Sequence, residues 1–105
     1  MHPRANGDSI ARRADRIMAP FARDFIWHGI YGYSIGLGFP PDWNDCSALI
    51  RRGINLTLQP GMVFHISTSL RQVGVGGVAF SETVLVTGVG AEVLTRVPRE
   101  LRVAG

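Results

Sequence analysis

The chain has 105 residues and a mass of 11.4 kDa, with 46% apolar and 18% charged residues, which excludes a disordered polymer and allows one small core. No apolar stretch approaches the about twenty residues that a membrane-spanning helix needs, and the mixed polar segment from Met1 to Asp15 reads as neither a signal peptide nor a transit sequence. A soluble, cytoplasmic chain with no membrane partner is expected. The net charge of +3 comes from eleven arginines with no lysine, dispersed along the chain without interleaved aromatics, so no nucleic-acid partner is expected. The single Cys46 excludes an intrachain disulfide and a cysteine-built zinc site.

Residues 1–8 read as a flexible N-terminus. Ile10, Ala14, Ile17, Met18 and Phe21 then recur at helical spacing, with Asp8 or Ser9 as the N-cap, predicting a helix over 9–24 that Pro20 limits. Phe25, Ile26 and Trp27 read as a short buried strand or a turn of helix. The glycines and prolines between Gly29 and Pro41 are unsuited to a regular helix and point to tight turning or close approach of the backbone. Gln59-Pro60-Gly61 is a turn that launches a strand, in which Met62, Phe64, Ile66 and Thr68 alternate with Val63, His65, Ser67 and Ser69. After the glycines at 74, 76 and 77, Phe80 to Thr87 reads as a second strand, and Gly88-Val89-Gly90 turns it into Glu92 to Thr95. One helix followed by antiparallel strands is an α+β pattern, with 25–105 as its sheet-bearing part.

Three segments carry a resemblance. Gly32-Tyr33-Ser34-Ile35-Gly36-Leu37-Gly38-Phe39-Pro40-Pro41-Asp42-Trp43 resembles a signature of the prolidase, aminopeptidase P and creatinase superfamily. Leu58-Gln59-Pro60-Gly61-Met62-Val63-Phe64-His65 resembles its strand entry, and Ser81 to Thr87 with Gly90 to Thr95 resembles its last strand and closing hairpin. The flavour is that of the ectoine-hydrolase-like or Xaa-Pro-dipeptidase-like branch. The resemblance implies the "pita-bread" fold, two pseudo-symmetric halves around a curved antiparallel sheet, of which this chain matches the C-terminal half. It implies hydrolysis of a C–N bond in a small peptide or amide-like substrate, and in typical members two divalent metals held by two Asp, one His and two Glu.

Where the resemblance puts those ligands, this sequence has other residues. Tyr33 stands at the histidine position, Ser67 at the first glutamate and Ser81 at the second. Glu82 follows one residue later, but a one-residue slip on a strand moves a side chain to the other face. The two aspartates belong to the half that this chain does not match. Hydroxyls cannot replace carboxylates around a hard divalent ion, so no metal cofactor is expected.

The remaining candidates each carry two readings. His28 is a general base or substrate contact, or a histidine at the core edge bonded to a carbonyl; His65 takes over acid–base work, or is a satisfied histidine on a sheet face. Glu82 orients a histidine, or is an edge-strand charge. Tyr31, Tyr33, Phe39 and Trp43 stack on substrate, or serve as packing anchors. Cys46, beside Asp45, lacks the cation that would activate a thiolate, and Ser34, Ser67 and Ser81 lack a nucleophile-elbow context. A half-domain exposes the surface its other half would cover, which predicts a homo-oligomer. The competing reading is a non-catalytic remnant or self-associating interaction module.

Overall fold

The computed structural model describes the backbone of residues 1–39 and 41–105; the side chains of residues 39 and 43–47 lie outside the described residues. A helix α1 (Gly7–Met18) and a one-turn 3-10 helix (Ala19–Phe21) precede five strands, β1 (Ile30–Phe39), β2 (Asp42–Arg51), β3 (Val63–Gln72), β4 (Gly76–Val86) and β5 (Ala91–Val93). The strands form one antiparallel sheet in the order β2-β1-β3-β4-β5.

The helix starts two residues earlier than the sequence pattern predicts, because Asn6 is the N-cap: its side-chain oxygen accepts from the Asp8 N–H at 2.8 Å. It ends at Met18, short of the expected 24. Pro20 has no N–H to donate and crowds the preceding turn, so the chain tightens into the 3-10 turn instead. The segment before the helix is tied to the chain after β2: Arg4 N–H donates to Leu58 O at 2.7 Å, Leu58 N–H to Ala5 O at 2.9 Å, and Gly7 N–H to Leu56 O at 2.7 Å.

The buried face of α1, centred on Ala11 and Met18, covers one face of the sheet. Tyr31, Ala48, Ile50, Phe64 and Val86, with Leu58 from the β2–β3 connection, complete the core. Burying a side chain the size of Phe64 contributes roughly 1.5–3 kcal/mol, and with Ile50, Leu58 and Val86 it forms the fully buried centre.

The glycine-rich stretch is a strand of ten residues, and one irregularity in it positions the site. Ile30 lies opposite Arg51 while Gly32 lies opposite Ile50, so Tyr31 is the extra residue of a bulge between β1 and β2. Tyr31 is buried and its hydroxyl reaches Asp15 on α1. Gly32 is also on the core side: a Cβ there would stand 2.7 Å from Ile66 Cδ1 and 3.3 Å from Ile50 Cδ1. Only glycine lets β1 approach β3 this closely at that point. Tyr33 is thereby turned to the opposite face.

Phe25 to Trp27 forms neither a buried strand nor a helical turn. Ile26 makes an isolated antiparallel bridge to Arg71, through N–H···O bonds of 2.8 and 3.0 Å, and Ile26 remains 57% exposed.

Candidate active site

Strand pleating separates the sheet into a core face and an open face. Phe64 is fully buried on the core face, so its neighbours His65 and, two residues on, Ser67 point to the open face. Cross-strand register then assembles a row: Leu49 on β2, Tyr33 on β1, His65 on β3 and Thr83 on β4 lie opposite one another. The next row, about 6.6 Å further along the strands, pairs Ser67 with Ser81. The Tyr33 and His65 rings are in contact, with centroids 5.1 Å apart and planes tilted by 38°. Both residues are half-buried. The site is therefore an imidazole and a phenol side by side, next to aliphatic hydroxyls. The strand β4 is held in this register by its own edge, where Leu94 N–H donates to Thr83 O and Thr83 N–H to Thr95 Oγ1, both at 2.8 Å.

The other sequence candidates fall elsewhere. The Ile26–Arg71 bridge puts His28 on the open face, at the level of Ser69, where it lines a narrow hollow with Ser67, Thr68 and Ser69. That level is four residues from His65 along β3, about 13 Å, so the two histidines are not brought together. Glu82 does not orient His65. It pairs with Ile66, which places it on the core side of the sheet, and its carboxylate accepts from Arg99 Nε. That guanidinium holds the Glu82 carboxyl below the usual carboxylate range. Alternation along β4 explains why Ser81 and Glu82 face opposite ways.

Tyr31 is a packing residue rather than a substrate contact, because the bulge turns it into the core. Its hydroxyl donates to Asp15 Oδ1 and accepts from Trp27 Nε1 at 3.1 Å, while Asp15 Oδ2 lies 3.4 Å from Arg52 Nε. Burial, reinforced by the bond to Asp15, pushes the Tyr31 phenol up to about 12. Ser34 is buried on the core side, its Oγ accepting from Ala48 N–H at 3.1 Å, which removes it as a nucleophile. The side chains of Phe39, Trp43 and Cys46 lie outside the described residues.

Two open-face residues escaped the sequence reading. Thr83 joins the Tyr33–His65 row through the β3–β4 register, which no local pattern reveals. Arg71 is on the same face as His65, Ser67 and Ser69, and period-two alternation along β3 would have placed it there.

The family model of metallopeptidase family M24 matches residues 1–88. Among curated proteins the chain is 40% identical over 79 residues to an uncharacterized hydrolase/peptidase of Sinorhizobium fredii, covering 70% of this chain and 20% of that protein. It is 39% identical over 70 residues to the ectoine hydrolase of Halomonas elongata, covering 67% of this chain and 17% of that protein. Among solved structures, the dipeptidase PepE of Mycobacterium ulcerans superimposes with a TM-score of 0.80 at 27% identity, over 95% of this chain and 26% of that one. The prolidase of Pyrococcus furiosus does so with a TM-score of 0.79 at 27% identity, over 93% of this chain and 28% of that one. The chain thus spans about a fifth of the length of the curated relatives and about a quarter of the structural ones. With sequence match and fold in agreement, the chain belongs to metallopeptidase family M24.

Proposed function

We propose that this chain supplies the substrate-facing sheet of an M24-type hydrolase that cleaves a C–N bond in a small peptide or amide-like molecule, without the family's dinuclear metal centre. The observation that supports the reading is the Tyr33–His65 contact beside the Ser67–Ser81 pair. By the resemblance, Tyr33, Ser67 and Ser81 occupy the metal-ligand positions, and here they offer three hydroxyls and no carboxylate. The neighbouring carboxylate, Glu82, is on the other face and engaged by Arg99. Among the described residues no group of three or more His, Cys, Asp or Glu is placed to hold a metal. These donors do not fit a pair of hard divalent ions, which need anionic oxygens to offset dehydration.

What remains is metal-independent acid–base work. A His65 ring nitrogen accepts a proton from an attacking water, and the adjacent phenol and hydroxyls of Tyr33, Ser67 and Thr83 hydrogen-bond the substrate carbonyl as negative charge develops on it. The imidazolium so formed returns the proton to the amide nitrogen as the adduct collapses, the C–N bond breaks and the amine departs. The test is an amine-release assay on ectoine, Xaa-Pro dipeptides and N-acetylamino acids, with EDTA and with added Mn²⁺. Hydrolysis indifferent to EDTA and reduced about 100-fold or more in His65→Ala supports the reading, in line with the worth of a general base. Hydrolysis that appears only with Mn²⁺ overturns it.

A second reading, a self-associating module, is favoured by a different observation. The core face continues past the reach of α1, where Val78 and Phe80 are each 47% exposed. A second copy of this chain would cover them. Light scattering that returns a dimer across a dilution series supports this reading, and a monodisperse monomer overturns it.

A further inference from the structure

The strand β4 has an outer edge that its own chain leaves largely unpaired. It runs from Gly76 to Val86, but β5 pairs only with Val84, Leu85 and Val86. Just beyond β5, Leu94 N–H donates to Thr83 O and Thr83 N–H donates to Thr95 Oγ1, so the backbone groups of Thr83 point away from β3. Those of Val86 point the other way, toward the chain that enters β3: Gly61 N–H donates to Val86 O, and Val86 N–H to Met62 O. Backbone direction alternates along an antiparallel strand, so Gly77, Ala79 and Ser81 also direct N–H and C=O outward. Among the described residues no hydrogen bond claims these outward groups.

The free stretch, residues 76–82, reads Gly-Gly-Val-Ala-Phe-Ser-Glu, with no proline and no charge before Glu82 to guard the edge. The C-terminal segment passes it without pairing. Pro98 has no N–H to offer, and Arg99 reaches Glu82 on the core side, so a hollow of about 310 Å³ separates residues 97–102 from residues 78–82.

We propose that a second copy of this chain occupies the edge, β4 against β4, antiparallel about a two-fold axis at Ala79. This rests on the self-association reading and names its seam. The free stretch is bounded by the β3–β4 turn at one end and by β5 at the other, and Ala79 is its midpoint. Only in this register do all the outward residues find partners. Gly77 meets Ser81 of the second copy, Ala79 meets Ala79, and Ser81 meets Gly77, each pair exchanging both of its N–H···O bonds. The same register sets Val78 opposite Phe80 of the second copy, and Phe80 opposite Val78, on the face where each is 47% exposed. A β-branched residue across from an aromatic ring is a favourable cross-strand pair. Two chains of net charge +3 repel, and residues 76–81 let them meet where neither carries a charge. One short strand per copy is small beside the roughly 20–30 residues a side of a stable interface, so dissociation in the micromolar range or weaker is expected.

The experiment is sedimentation equilibrium from about 1 μM to about 1 mM, on the parent chain, on Ala79→Lys, on Ala79→Glu and on an equimolar mixture of the two variants. The parent is expected to dimerise. Each variant alone sets like charges opposite one another at the axis and is expected to dimerise at least tenfold more weakly. The mixture is expected to recover the parental constant or better, because Lys then faces Glu. Hydrogen exchange at the Gly77, Ala79 and Ser81 amides is expected to slow as the parent is concentrated. A parent that stays monomeric overturns the proposal together with the self-association reading. A dimer that both variants keep, that their mixture fails to restore, or that leaves exchange at these amides unchanged overturns the β4 seam and leaves that reading standing.

Discussion

Replacing Gly32 by alanine tests the close approach that turns Tyr33 toward His65. The added methyl would stand 2.7 Å from Ile66 Cδ1, 3.2 Å from His65 O and 3.3 Å from Ile50 Cδ1. Ile50 is fully buried and Ile66 is packed against the core, so neither side chain moves away freely. Overpacking of this kind costs about 1–3 kcal/mol, and the reduced freedom of the unfolded chain returns about 0.4–1 kcal/mol. The expected net loss is about 1–2 kcal/mol. Ile66→Val removes the methyl of the shortest contact and by itself costs about 0.5–1.5 kcal/mol. In that background Gly32→Ala should cost about 1 kcal/mol less than in the parent chain, with the His65 carbonyl contact keeping a residual penalty. Urea unfolding of the four chains at one protein concentration closes the cycle. A Gly32→Ala chain within about 0.5 kcal/mol of the parent, or an equal cost in both backgrounds, would refute the packing argument.

Other outcomes follow from the same structure. Tyr31→Phe leaves Asp15 Oδ1 and Trp27 Nε1 without their shared partner and should cost about 1–2 kcal/mol in urea unfolding. Because the folded Tyr31 phenol is raised to about 12, its contribution is complete below the ordinary phenol value and disappears as pH rises through about 12; absorbance titration near 295 nm should lose this late step in Tyr31→Phe. Glu82→Gln should loosen the C-terminal segment around Arg99, read as faster hydrogen exchange or proteolysis beyond Thr95. Since the folded Glu82 carboxyl is lowered, its pairing is present above the unfolded carboxylate value and is lost as pH falls through the folded one, so the parent segment should loosen in acid while Glu82→Gln stays loose throughout. Asn6→Ala removes the helix cap and should cost about 1 kcal/mol, measured by thermal or urea unfolding.

The superfamily was legible in short-range motifs, because turns, strand entries and close approaches demand particular residues at fixed spacing. Pro60-Gly61 before β3 and Gly88-Val89-Gly90 before β5 marked the strand boundaries, and the alternation of Phe64 and Ile66 with His65 and Ser67 set their faces correctly. By the resemblance, Tyr33, Ser67 and Ser81 stand at the metal-ligand positions, an expectation that needs only residue type at a motif position and that the EDTA and Mn²⁺ assay tests. The strand β2 had no comparable signal; it exists because β1 offers it a partner and α1 covers Ala48 and Ile50. Which candidates meet was likewise decided by long-range register. The bulge at Tyr31, sensed only through β2, sends Tyr31 into the core and Tyr33 to the open face. Strand pairing puts Thr83 beside His65, leaves His28 about 13 Å away at the level of Ser69 and gives Glu82 to Arg99 on the other side. A linear sequence fixes the period of a strand, but the phase of one strand against its neighbour is set only when both are packed, and this site is made by phase.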